Sequence, residues 1–295
     1  MSKEGKTVGL LQQLLVFLEL IKFPHTVFAL PVAFTGAVLA AQGIPRWGKV
    51  FWILVAMVGA RTGAMAMNRL VDMDLDALNP RTDHRALPRG LIRPVTVLTM
   101  AVCAFALLVI AAAQLNRLCL LLSPVAIGLA VFYSYTKRLT SLSHLILGLC
   151  LACAPIGAWI AIRGRVDLPP LVLGLAVLLW VAGFDILYAL ADIESDRAHG
   201  LYSIPARLGA EAAMRVSLLF HIAVPLLLGV VGQLLRLGPL YYLGILLVLI
   251  LLGYEHATMR RYGLQGLETA FFNVNGLISI TLFTFTLLDA LIIAF

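Results

Sequence analysis

The chain has 295 residues, of which 61% are hydrophobic and 13% charged, and its formal net charge is +7. No water-soluble globular domain has that balance. The positive charge lies in loops between apolar runs, where it acts as an orientation signal, and no basic, aromatic-rich soluble segment suits a nucleic acid.

Residues 1–7 are polar, and no small-residue cleavage site follows the next apolar run, so no cleavable signal is expected. Gly9 to Glu19 is apolar with scattered polar positions and is expected to lie along the membrane interface. Lys22, Pro24 and His25 mark a turn into a first span, about Thr26 to Ala41, which Pro31 should bend. After a turn at Gly43 to Arg46, span two runs from about Val50 to Val71. Spans three and four, about Pro94 to Gln114 and Leu118 to Thr136, are separated at Asn116 and Arg117. Span five is about Leu142 to Ile162, span six Leu171 to Ala191, span seven Ala212 to Leu235, span eight Pro239 to Glu255 and span nine Ala270 to Ala294. The expected fold is therefore all-α and polytopic, a single domain over residues 1–295. Nine transmembrane helices surround a central cavity, as two four-helix-like halves plus one helix.

Two stretches carry the chemistry. Span two leads into RTGAMAMNRLVDMDLDALNPRTDHRALPRGLIR, in which Asn68, Asp72 and Asp76 follow at i, i+4 and i+8. On a helix all three side chains share one face, whereas Asp74 points elsewhere. Arg61 lies nearly two turns earlier on roughly the same side. Span six leads into DILYALADIESDRAHGLYSIPARLG, where Asp192 and Asp196 repeat the i, i+4 spacing with Asp185 and Tyr188 above them on the same stripe. Each stretch leaves an apolar helix, passes two aspartates and ends in a loop containing Arg and Pro, the pattern of a duplicated half-chain. Carboxylates one turn apart repel in a low dielectric unless a cation lies between them. Hard oxygen ligands of this kind suit Mg²⁺, which binds through a few carboxylates plus substrate phosphates. Asp185 should lie below the membrane surface, where an ionisable group is functional by default. The ligand that fits is a diphosphate with an apolar tail in the bundle: metal and arginine would neutralise the departing diphosphate, and a dry core would shield the resulting allylic carbocation.

Other polar positions read as structural. Cys150 and Cys153 spell C-x-x-C inside an apolar run with no metal partner near in sequence, which reads as packing. His25, His84, His144, His199, His221 and His256 show no metal-ligand spacing and are expected in loops or at interfaces. Glu255 with Arg260 and Arg261 is expected to form a solvated cluster ending span eight. Phe271, Phe272, Asn273 and Asn275 open span nine, and the asparagines read as helix–helix hydrogen-bonding groups. Asp289 is expected to reach the outer interface.

The paired motifs resemble those of the UbiA superfamily of intramembrane aromatic prenyltransferases. Asn68, Asp72 and Asp76 match its N-x-x-x-D-x-x-x-D, Asp192 and Asp196 match its D-x-x-x-D, and Tyr135-Thr136-Lys137-Arg138 is similar to its Y-[TS]-K-R. The resemblance covers nearly the whole chain. It implies Mg²⁺-dependent transfer of a polyprenyl chain from polyprenyl diphosphate to an aromatic acid acceptor. Asp72, Asp76, Asp192 and Asp196 would hold the metal and diphosphate with help from Asn68. Lys137 would contact phosphate, and Arg61 would serve the acceptor or the phosphate. Tyr188 and Asp185 lie on the active stripe as substrate-binding residues. The second motif is most similar to the 4-hydroxybenzoate branch, whose products feed respiratory quinone synthesis. The first departs from that branch's S-A-G-C-V-I-N-D, reading GAMAMNRLVD. That variant resembles UbiA-like enzymes of the futalosine route to menaquinone, with a 1,4-dihydroxy-6-naphthoate acceptor, and the motif chemistry leaves both acceptors open. An ion-coupled transporter would also use intramembrane carboxylates, but in mid-membrane helix breaks rather than at helix exits among arginines. A CDP-alcohol phosphotransferase would need D-x-x-D-G-x-x-A-R, which is absent.

With the N-terminus inside, both motif loops, Lys137-Arg138 and Arg260-Arg261 fall on the cytoplasmic side, and the richest basic cluster is inside as the positive-inside rule asks. The protein is thus expected in the bacterial cytoplasmic membrane with its active site facing the cytoplasm. Single cysteines placed in Asn79–Arg93 or Arg197–Arg207, in a cysteine-free background, should resist impermeant thiol reagents added outside intact cells. Ready outside labelling would reverse the orientation.

Overall fold

In lipid, a backbone must satisfy its own polar groups, which for runs of this length means helices. The computed structural model describes residues 16–20, 26–267 and 273–293, and these form helices and their connecting turns. In chain order they are α1 (Thr26–Ala41), α2 (Trp47–Val71), α3 (Met73–Leu78), α4 (Pro94–Leu115), α5 (Arg117–Thr136), α6 (Ser143–Arg163) and α7 (Leu168–Tyr188). A 3-10 turn (Ala189–Asp192) leads to α8 (Ile193–Ala198), α9 (Ile204–Leu208), α10 (Ala210–Leu235) and α11 (Pro239–Tyr262). A second 3-10 turn (Gly263–Gly266) precedes α12 (Asn275–Ile293).

Among the described residues, 8 helical runs are long and apolar enough to cross a membrane. The first expected span is described only from Thr26, as the 16-residue α1, and the residues just before it lie outside the described ones. Nine spans is therefore approximate. Most of Gly9 to Glu19 lies outside the described residues. At its far end, Phe17, with Leu20, is buried against Ala66, Leu87 and Ile92, while Glu19 is exposed. Phe271 and Phe272 also lie outside the described residues.

Local chemistry sets the helix ends. Proline opens α4, α7 and α11 within the first two positions, where its missing N–H costs nothing. Asn116 separates α4 from α5: its Oδ1 accepts from Cys119 N–H at 2.9 Å, and its Nδ2 donates to the Ile160 carbonyl of α6 at 2.8 Å. Helices adjacent in sequence then pack in turn, α2 on α4, α4 on α5, through to α11 on α12. α12 meets α1, and α1 also packs on α6. Between membrane helices the drive is close van der Waals contact. Gly148 of α6 is one such point, since a Cβ there would run into the Leu178 carbonyl of α7. The largest buried cluster joins Val32 and Leu39 of α1, Val177 and Val181 of α7, Leu228 of α10, Val248 of α11, and Ile278 and Leu282 of α12.

Three expectations about polar residues are corrected by this packing. Helix α11 continues seven residues past Glu255, so that residue is buried rather than solvated, and its Oε1 accepts from Asn275 Nδ2 at 3.0 Å. His221 and His256 are buried and hydrogen-bonded to each other at 3.0 Å, and His144 is fully buried, so none of the three is a loop or interfacial residue. Asp289 is also buried, and it accepts from the N–H groups of Gly238 and Tyr241 at 2.7 and 3.2 Å, closing the start of α11. Asn275 does hydrogen-bond between helices, accepting from Trp180 Nε1 at 2.7 Å.

Gly148→Val should force α6 and α7 apart. Overpacking of this kind costs about 1–3 kcal/mol, so the detergent-solubilised variant should unfold at a lower temperature. Gly128→Ala, which adds a methyl into open space, should leave the midpoint unchanged.

Candidate active site

Both motifs sit where a membrane helix stops, and in both the helix breaks at the first aspartate. Asp72 separates α2 from α3 with φ −90° and ψ 5°, and Asp192 ends the 3-10 turn after α7 with φ −107° and ψ 4°. Both pairs of angles fall in the sparsely used bridge region. Aspartate tolerates such a break because its short side chain competes with the helical backbone. The continuous helix face inferred from spacing is thus interrupted twice, in the same way. The Asp76 N–H still donates to the Asp72 carbonyl at 2.7 Å, so the two acids stay one turn apart.

At the first break, Asn68 Nδ2 donates to Asp72 Oδ2 at 2.9 Å, and Arg138 Nη2 lies 3.7 Å from Asp72 Oδ1. Asp76 is buried, and Arg85 Nη1 donates to both its oxygens at 2.6 and 2.7 Å. Asp74 is exposed, as its spacing implied. At the second break, Arg81 places a guanidinium fork on Asp192: Nε donates to Oδ1 at 2.9 Å and Nη2 to Oδ2 at 2.6 Å. Its Nη1 donates to the Tyr188 hydroxyl at 2.7 Å, and Asn79 Nδ2 adds a bond to Asp192 at 3.2 Å. The loop after the first motif therefore grips the first acid of the second.

These groups meet at one cavity of about 700 Å³. All nine residues singled out from sequence line it: Arg61, Asn68, Asp72, Asp76, Lys137, Asp185, Tyr188, Asp192 and Asp196. Its body is apolar, with Phe105 and Leu108 from α4, Leu122 from α5, Leu147 and Leu151 from α6 and Trp180 and Phe184 from α7. Cys150 and Cys153 are free thiols on the cavity wall rather than in the packed core. Deeper than the acids, the Arg61 Nε is buried with no hydrogen-bond partner among the described residues.

The charge balance at the mouth is uneven. Burial alone would pull Lys137 down, but Asp196, Asp185, Asp192 and Asp72 outweigh it and hold its ammonium above the ordinary range. Burial pushes the Asp72 carboxyl up against the pull of Lys137, with Asp76 adding to the push and Arg138 resisting it. Asp196 is buried, and its Oδ2 has no hydrogen-bond partner among the described residues. A site with an orphaned carboxylate oxygen, a second carboxyl short of positive charge and only oxygen donors fits a hard divalent cation. Among the described residues, no group of three His, Cys, Asp or Glu side chains is close enough to hold a metal ion by itself.

Sequence reasoning missed Asn79, Arg81 and Arg85 as partners of the acids. The loop has four arginines, and the turn at Asn79 to Thr82 aims the first two, half-buried, at the acids while Arg89 and Arg93 face out. His144 was missed as well: it bonds Asp185 at 2.7 Å from another helix.

A family model described as the UbiA prenyltransferase family matches residues 29–277. A 4-hydroxybenzoate octaprenyltransferase of Aliivibrio fischeri strain MJ11 is 31% identical over 251 residues, covering 83% of this chain and 86% of that protein. One from Aeromonas salmonicida is 31% identical over 241 residues, covering 80% and 82%. The apo structure of a UbiA homologue from Aeropyrum pernix K1 superposes with a TM-score of 0.83 at 34% identity, over 90% of this chain and 98% of that one. A UbiA homologue from Archaeoglobus fulgidus, bound to DMAPP and Mg²⁺, shares the fold at a TM-score of 0.71 and 18% identity, over 94% and 99%.

Removing the Lys137 ammonium leaves buried carboxylates uncompensated, which typically costs about 3–5 kcal/mol when a buried pair is broken. Lys137→Met should therefore lower the thermal midpoint and weaken inorganic diphosphate binding at least tenfold in calorimetry. Lys137→Arg, which keeps the charge, should retain most of both.

Proposed function

The chain belongs to the UbiA prenyltransferase family, and from that premise we propose that it moves a polyprenyl chain from its diphosphate onto a hydroxylated aromatic carboxylate of the 4-hydroxybenzoate type, in a Mg²⁺-dependent reaction of respiratory quinone synthesis. The observation that carries the reading is the mouth of the cavity, where two acid motifs and the arginines of one loop close over a long apolar chamber. The names of the curated relatives and the Mg²⁺ and prenyl diphosphate bound to the Archaeoglobus homologue support it. A basic, arginine-rich face at both motif loops supports placement in the cytoplasmic membrane with the mouth inward.

In this reading the prenyl tail lies along the apolar wall, and its diphosphate sits at the mouth. Arg81 holds Asp192 through a guanidinium fork and Arg85 holds Asp76 through one shared Nη1, and a guanidinium equally matches phosphate oxygens. They can therefore turn from carboxylate to diphosphate, with Lys137 between the two motifs as a third cation. Asp72, Asp76, Asp192 and Asp196, with Asn68, would hold Mg²⁺, which when bound neutralises diphosphate charge and favours its departure. The helical wall keeps water from the allylic cation that remains, and Trp180, Phe184 and Phe105 offer ring faces.

Arg61 fixes the acceptor. It lies two turns below Asn68, about 10 Å along the helix, and a buried guanidinium atom without a partner calls for an anion. An aromatic carboxylate supplies that anion and orients the ring so that the carbon beside the hydroxyl faces the cation.

Purified protein with a long-chain polyprenyl diphosphate, 4-hydroxybenzoate and Mg²⁺ should form the ring-prenylated acid. Running 1,4-dihydroxy-6-naphthoate beside it decides the acceptor. Asp72→Ala or Asp192→Ala should lose about a hundredfold or more of the activity, and full activity in EDTA would overturn the metal requirement. Arg61→Lys keeps charge but loses the fork, so it should raise the acceptor KM more than the diphosphate KM, while a phenol lacking the carboxylate stays a poor substrate for both proteins. If Arg61→Lys weakens diphosphate binding only, Arg61 belongs to the phosphate and the carboxylate assignment is wrong.

A further inference from the structure

Substitution on an aromatic ring requires the loss of a ring proton, and none of the groups assigned above receives it. Asp72, Asp76, Asp192 and Asp196 are given to metal and diphosphate, and Arg61 and Lys137 are cations. Asp185 remains. It lies on α7 inside the bundle and lines the cavity, and its side chain keeps 17% exposure although it sits two turns below the motif. Its Oδ2 is held at 2.7 Å by Nδ1 of His144, which is fully buried on α6. The other ring nitrogen of His144, Nε2, accepts from the Ile204 N–H at 3.4 Å. That backbone donor fixes the tautomer: the neutral ring carries its proton on Nδ1 and donates it to Asp185. Oδ2 is thus committed to His144, and Oδ1, without a hydrogen bond among the described residues, is left for whatever occupies the cavity.

We infer that Asp185 is the base that takes the ring proton from the prenylated acceptor, and that His144 is the positioning residue that aims it. Resting on the aromatic-acid reading above, this adds a proton acceptor to it. Spacing places the base beside the right carbon. Arg61 precedes Asp72 by eleven residues and Asp185 precedes Asp192 by seven. The two helices run in the same direction, each ending at the mouth, so Asp185 lies about 6 Å nearer the mouth than Arg61 at 1.5 Å per residue. That offset matches the length of a benzoate ring between carboxylate and para-hydroxyl. With the carboxylate on Arg61, the hydroxyl end and its neighbouring carbon lie level with Asp185 and nearest the diphosphate.

The step balances without an outside reagent. The carbon beside the hydroxyl bonds to the allylic cation and briefly carries both the prenyl group and its hydrogen. The C–H bond then breaks, its electron pair restores the aromatic ring, and the proton passes to Asp185 Oδ1. The carboxyl group returns it to water at the mouth before the next turnover. Throughout, the Nδ1–H of His144 keeps Oδ2 in place. The charged and titratable groups that act electrically on Asp185 are His144 from α6, Lys137 beyond the end of α5 and Tyr133 within α5.

The test uses full-length enzyme in detergent, with 4-hydroxybenzoate deuterated beside the hydroxyl. Thermal unfolding is measured on every variant. When ionisation limits turnover, the wild type shows little isotope effect. Asp185→Asn should lower kcat about a hundredfold, as loss of a general base does. His144→Ala should lower kcat at least tenfold with the diphosphate KM unchanged, and in both variants the isotope effect should rise above the wild-type value because proton removal has become slow. His144→Gln, whose amide can donate to Asp185 and accept from Ile204, should recover most of the activity and the small isotope effect. If the variants are slow but their isotope effect equals that of the wild type, His144 and Asp185 only support the fold and the proposal fails. If the wild type makes no prenylated benzoate or naphthoate at all, the acceptor reading fails, and this proposal with it.

Discussion

The guanidinium fork from Arg81 to Asp192 is the contact on which the rest of the site depends. It joins the loop after the first helix break to the second helix break, so that two motifs 120 residues apart in sequence face one cavity. Arg81 also stacks its guanidinium carbon 5.0 Å from the centre of the Tyr188 ring while donating to the hydroxyl. The stacking and hydrogen bond orient the fork. Without a cation on Asp192, the second acid pair would be two buried carboxylates in a poorly polarisable environment, a costly state. The cavity walls, the helix breaks and the order of helices around the ring serve to bring that fork and its first-motif counterpart, Arg85 on Asp76, to the same end of the chamber.

Below the mouth, polar contacts hold the second half in register. Trp180 Nε1 donates to Asn275, and Asn275 donates to Glu255. His221 donates from Nε2 to the Trp180 carbonyl at 3.1 Å and accepts from His256 at Nδ1. The Ser217 hydroxyl donates to the Gly183 carbonyl at 2.8 Å. Each bond crosses between α7, α10, α11 and α12 where lipid offers no competing partner, so such contacts fix rotation and depth more sharply than apolar packing can. Trp180 and Asn275 also face the cavity. The network thereby sets the position of the wall against which the apolar tail would lie.

Much of this was legible in the sequence because membrane helices leave few alternatives. Apolar runs marked the long helices, and the i, i+4 spacing of acids picked out the residues that meet at the cavity. The breaks at Asp72 and Asp192 were not legible, because a helical spacing is equally compatible with a continuous helix. Arg81 and Arg85 could not be told from Arg89 and Arg93, since the inward turn depends on Asn79 and on Thr82, whose hydroxyl donates to the Asp76 carbonyl at 3.0 Å. Glu255 was misplaced because its charge looked like the end of a span, whereas α11 tolerates it by pairing it with Asn275 on α12. His144 was unreadable for the same reason, its partner being 41 residues away on a neighbouring helix.

The two arginine–aspartate contacts differ in how far along the chain they reach. Arg85 lies nine residues from Asp76, whereas Arg81 lies 111 residues from Asp192. The first pair is a local contact, which a growing chain closes as soon as its own loop is made. The second is a distant one, whose loop-closure cost is met only after four further long helices have been laid down. Asp76 can therefore have its arginine while the second motif is still being synthesised. The second motif stays without its arginine until α7 has been made and docked beside the first motif's loop, which ties the closed mouth to the meeting of the two motif helices.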